Sequence, residues 1–110
     1  MKKMNSLSTK TIDLTEIGGS KALLTRDQGA NLRSQIVKLL DIESMVVLDL
    51  SNVEALSPSF ADELFATLDA DLKDQFHSRV KVVCPSIDWK QLIRTVLAQR
   101  RSHPRTVRQQ

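Results

Sequence analysis

The stretch from Met45 to Leu72, MVVLDLSNVEALSPSFADELFATLDADL, constrains the fold most, because three patterns follow one another in it without a gap. Met45, Val46, Val47, Leu48 and Leu50 form an apolar run interrupted only by Asp49, the pattern of a central strand covered on both faces. Ser51, Asn52, Ser57, Pro58 and Ser59 supply loop and helix-start chemistry. Ala61, Leu64, Phe65, Leu68 and Leu72 then recur at the i, i+3, i+4, i+7, i+11 spacing that lines one face of a helix.

The flanking segments extend this pattern. Residues 1–9 are polar and Lys-rich and read as a mobile end. Residues 11–17 (TIDLTEI) alternate apolar with polar as a half-buried strand does, with Ile17 slightly out of step. Gly18 and Gly19 then read as a turn into a short strand, Ala22 to Leu24, pairing back as an antiparallel hairpin. Thr25 is the expected N-cap of a helix from Arg26 to about Leu40, with Gln28 at the capping-box position. Gly29 sits inside the first turns of that helix, and reads either as a glycine tolerated near a helix end or as a place where another backbone or a ligand comes close. Lys73 to Arg79 reads as a polar connection and Val80 to Cys84 as a strand stopped by Pro85. Ser86 caps a last helix whose stripe is Trp89, Leu92, Ile93, Val96 and Leu97.

Two strand–helix–strand passages imply parallel pairs joined by right-handed crossovers. The expected fold is therefore α/β, a small mixed sheet of about four strands with an N-terminal antiparallel hairpin and three helices. A chain of 110 residues holds one modest core, placed at residues 10–98. The net charge of +3 belongs to the expected tail at 99–110, whose four arginines leave residues 1–98 at −1. Nucleic-acid binding would rest on that tail alone, without interleaved aromatics. Arg100 and Arg101 also suit the negative end of the last helix dipole.

Other classes find little support. The N-terminus lacks the apolar centre of a signal peptide and no run is long enough to span a membrane, so a cytoplasmic protein is expected. The lone Cys84 reads as a core thiol, and His77 as an exposed residue without metal-ligand company. The chain contains no phosphate-binding glycine loop, no H-E-x-x-H and no G-x-S-x-G, so neither enzymatic activity nor a cofactor is expected. Asp62 and Glu63 are neighbours pointing about 100° apart on a helix, not an acid/base pair across a cleft. Ser57 before Pro58 is a good Ncap–N1 pair, and Ser59 is an alternative cap. The serine not used as a cap, Ser59 or Ser57, is a candidate phosphorylation site.

At Val46, Val47, Leu48, Asp49, Leu50, Ser51, Val53, Leu56, Ser57, Ser59, Phe60, Ala61, Asp62, Glu63 and Leu64 the sequence resembles the STAS-like family of unknown function. Its members carry a V-V-L-D-[FL]-S-x-V-x-x-[IL]-S-x-S-F-x-x-E-L type motif, and it is distantly similar to the anti-sigma factor antagonist STAS domains. The resemblance implies a STAS-like sheet and a non-enzymatic regulatory module that docks a protein, with a histidine-kinase-type ATPase or anti-sigma-like regulator as the implied partner. In antagonist domains the loop reads Asp-Ser-Ser-Gly, and the first serine is phosphorylated. Here Ser57 stands against the aspartate, Pro58 against the phosphorylated serine, Ser59 against the second serine and Phe60 against the glycine. Proline cannot accept a phosphoryl group, so the familiar switch does not carry over intact. The expected partner-binding residues are Ser57, Pro58, Ser59, Phe60, Asp62 and Glu63, with Phe60 either a buried anchor or an exposed contact. The alternative is a nucleotide or small-anion sensor using the amides at the helix start.

Overall fold

The computed structural model describes residues 8–102. Its elements run β1 (Thr9–Asp13), α1 (Leu14–Gly18), β2 (Ala22–Leu23), α2 (Arg26–Leu40), β3 (Met45–Asp49), β4 (Ala55–Leu56), α3 (Pro58–Ala61), a π-helical segment (Asp62–Ala66), α4 (Thr67–Leu72), a 3-10 turn (Lys73–Gln75), α5 (Phe76–Arg79), β5 (Val80–Val83) and α6 (Ile87–Ser102). The apolar run is the central strand of a parallel sheet ordered β1-β3-β5, in the register Ile12↔Leu48↔Val82.

The sheet differs from the expected one in two ways. No antiparallel hairpin forms among the described residues. β2 instead pairs in parallel with β4, Ala22 opposite Ala55 and Leu23 opposite Leu56, so the strands divide into a sheet of three and a sheet of two. The cause lies at Asp13, whose carboxylate accepts the Thr15 N–H at 2.9 Å and the Thr15 hydroxyl at 2.6 Å. That N-cap ends β1 and starts α1, which turns Leu14 and Ile17 inward at the i, i+3 spacing. Gly19, at φ 72°, closes α1 in the left-handed conformation that glycine adopts without strain.

The second difference is coverage. Val46, Leu48, Ile12 and Val80 are buried beneath the helices, whereas Thr11, Lys81 and Val83 on the opposite face are exposed. Met45, Val47 and Asp49 are half-buried, so β3 is covered on one face and not on both. The segment expected as a polar connection is also helical, as the 3-10 turn and α5, and Phe76 enters the core.

The longer helices form as their periodicity predicts. α2 carries the Thr25–Gln28 capping box and buries Leu32, Ile36 and Leu40. Helix 58–72 buries Phe60, Ala61, Leu64, Phe65 and Leu68 completely, which makes it the centre of the core. The Ser86 hydroxyl accepts the Trp89 N–H at 3.2 Å at the start of α6. Cys84 is buried, as expected of a core thiol, and His77 is exposed. Because α6 runs to Ser102, Arg100 and Arg101 belong to the folded helix and not to a tail beginning at residue 99. Thr9 likewise belongs to β1; the rest of the expected mobile end, save Ser8, and residues 103–110 lie outside the described residues. Among the described residues no helix is long and apolar enough to cross a membrane, and no cluster of potential metal ligands forms.

Candidate functional site

The junction from Ser57 to Glu63 is built by β2, β4 and the start of helix 58–72. Parallel pairing brings Leu23 and Leu24 alongside Ser57, whose N–H donates to the Leu23 carbonyl at 3.1 Å. The Ser57 hydroxyl donates to the Leu24 carbonyl and accepts the Phe60 N–H at 3.1 Å. Ser57 is therefore the N-cap and Pro58 the first-turn proline, the pairing expected from the sequence. With its hydroxyl engaged on both sides, Ser57 holds two segments together. Ser57→Ala is expected to cost about 1–2 kcal/mol, read as a shift in the urea midpoint at unchanged slope. A loss well below this would mean that the cap is not needed to hold the junction.

Phe60 is fully buried, so of its two expected roles the structure gives it the buried anchor, and its ring cannot touch a partner. Asp62 and Glu63 face inward as well. One Asp62 oxygen accepts Arg26 Nη1 from α2 and Arg100 Nη2 from α6, each at 2.8 Å. Glu63 lies 3.4 Å from both Arg26 and Arg33. The carboxylates thus clamp the π-helical segment between α2 and α6, a role foreshadowed only by the suitability of Arg100 for a helix end. Below them, Asp69 is buried and accepts from two guanidinium nitrogens of Arg101, Nε at 2.9 Å and Nη2 at 2.8 Å.

Desolvation is the largest influence on Asp62 and pushes its carboxyl up, but the hydrogen bonds and charges of Arg26 and Arg100 together outweigh it, leaving the carboxyl below its ordinary value of 3.8. A carboxyl depressed in the folded state contributes stability that is present above the unfolded value and is lost as pH falls through the folded one. Stability is therefore expected to fall below about pH 4 and to do so less steeply in Asp62→Asn. Urea titrations at pH 6 and pH 3 would check this, and equal pH dependence in the two proteins would contradict it.

Gly29 explains how α2 approaches this closely. A side-chain carbon there would lie 3.0 Å from the Phe60 carbonyl oxygen and 3.0 Å from the Glu63 Cβ. The close contact anticipated at Gly29 is thus with backbone and side chain of helix 58–72.

What remains on the surface is Pro58 and Ser59, joined by the half-exposed Leu24 and Arg26. Leu24 and Arg26 were not singled out by the sequence, because their place beside Ser57 depends on a pairing 33 residues away. The π-helical turn was equally silent: its apolar spacing also fits an α-helix. Thr67 directly follows this irregular turn, its hydroxyl 3.5 Å from the Asp62 carbonyl. π-helical turns recur at functional sites.

Residues 28–83, about half of the chain, match the family model described as a STAS-like domain of unknown function (DUF4325). Comparison with the curated proteins gave no match, and comparison with the solved structures gave none.

Proposed function

The chain belongs to the STAS-like domain family of unknown function, and on that premise we propose that it is a non-enzymatic regulatory module docking a partner protein through the junction of β2 with helix 58–72. The observation that carries this reading is the exposed Leu24, 46% accessible, tied through its carbonyl to Ser57 and so held beside Pro58 and Ser59. An apolar contact fixed on a rigid base loses little entropy on binding. The base here is the buried Phe60 and the arginine clamp. The partner class is the one the resemblance implies, a histidine-kinase-type ATPase. Ser59 is the regulatory position, because it is exposed whereas the Ser57 hydroxyl is committed to the fold. A phosphoryl group on Ser59 would stand one turn from Asp62 and compete with it for Arg26.

Leu24→Asp combined with Ser59→Arg changes exposed side chains only. Capture of partners by wild type and by this variant, quantified by mass spectrometry, is expected to lose one ATPase partner by at least about tenfold. Equal recovery of every partner would refute the docking face.

A further inference from the structure

The sheet ends at β5, whose only strand partner among the described residues is β3. Its other edge offers backbone groups that a further extended chain could pair with. Between β5 and α6, Val82, Cys84 and Ile93 line a cleft of about 220 Å³ together with Lys90 and Arg94 of α6. No carboxylate lines it. Val83 and Ile87, which flank the cleft in the chain, expose 45% and 69% of their surface.

The charges of this region are uncommitted. Arg26, Arg33, Arg100 and Arg101 bind carboxylates, and Arg79 binds the carbonyls of Leu40, Glu43 and Ser44. Among the described residues Arg94 is the one arginine with neither a hydrogen bond nor an ion pair, and Lys81 and Lys90 likewise form no ion pair. Asp88 is the nearest acidic residue along α6, and two residues of helix turn it about 200° away from Lys90. By contrast, the roomier cleft of about 580 Å³ near the end of α6 contains Asp69 and Asp74, and its Arg100 and Arg101 are already paired.

We propose that the free edge of β5 and the adjoining cleft bind an extended, acidic segment of a partner protein. The segment adds as a strand beside β5, seats an apolar side chain on Val82, Cys84 and Ile93, and sets carboxylates against Lys90 and Arg94. Backbone pairing supplies affinity in this mode of recognition, and pockets for alternate side chains supply selectivity. Positive side chains around a carboxylate-free cleft favour an acidic occupant over a basic one. The site shares no residue with the Leu24–Ser59 face, and either surface could fail without the other.

The test uses the full chain, ¹⁵N-labelled, and a fluorescein-tagged hexapeptide of glutamates with one central leucine, so that the face carrying the leucine also carries glutamate. Binding is expected to shift the amide resonances of residues 80–84 and 87–94. The double variant Lys90→Glu, Arg94→Glu, both exposed and checked for folding by circular dichroism, is expected to weaken binding at least about tenfold. Methylating alternate peptide nitrogens, which removes the donors needed for strand pairing, is expected to do the same. Three results would overturn the proposal: a lysine–leucine hexapeptide binding as tightly as the acidic one, shifts confined to other residues, or affinity unchanged in the double variant.

Discussion

Phe60→Ala is expected to lower the unfolding free energy by about 3–5 kcal/mol, the largest loss at the junction. The ring is fully buried with Ala61, Leu64 and Phe65 at the centre of the core, and truncation would leave a cavity that the surrounding helices can close only in part. The residue directly follows the exposed Ser59, so the same change could be mistaken for damage to a docking surface. Denaturant unfolding separates the two. A loss near 4 kcal/mol with partner capture restored at low temperature, where folded protein persists, fits an anchor. A loss below about 1 kcal/mol would mean the ring is not in the core.

The second large effect is expected at Gly29. Gly29→Val adds a branched side chain where even a single carbon would sit 3.0 Å from the Phe60 carbonyl oxygen. A backbone oxygen inside a helix cannot rotate away as a side chain can, so α2 and helix 58–72 must separate. The expected cost is about 2–3 kcal/mol, exceeding whatever a non-glycine residue gains in helix propensity. Separation would also stretch the contacts of Arg26 and Arg33 with Asp62 and Glu63, weakening the clamp. Thermal unfolding of Gly29→Ala and Gly29→Val should show a graded loss, alanine the smaller. A gain in stability for alanine would mean that the helices yield freely and that the close approach carries no constraint.

These two residues mark how far the sequence could be read. Gly29 leaves two readings open in the sequence, a glycine tolerated near a helix end or a close approach, and nothing local says that Phe60 and Glu63 decide for the second. The helices at 26–40 and 87–102 were legible because apolar periodicity and caps are local signals, and Thr25, Ser57 and Ser86 all cap where expected. The antiparallel hairpin failed for a local reason that was visible in part: Asp13 followed by Thr15 is a capping pattern, and Ile17 already sat out of strand phase. β2 with β4 was not legible, since two-residue strands leave no period. The ion pairs of Asp62 and Glu63 are not legible locally, because the arginines that draw them inward lie 30 to 38 residues away in the chain. Phe76 went unnoticed for the opposite reason, a single apolar residue among polar neighbours that only tertiary packing buries.

The central claim is that the Leu24–Ser59 face, and not the domain surface at large, meets a partner protein. Site-specific photo-crosslinking tests it most directly, with a photoreactive phenylalanine analogue placed at exposed position 59 and, in a second protein, at exposed position 38 on α2. The account predicts a covalent adduct with one ATPase partner from position 59, absent from position 38 and suppressed by Leu24→Asp. An adduct formed equally from both positions, or one from position 59 that Leu24→Asp leaves unchanged, would contradict it.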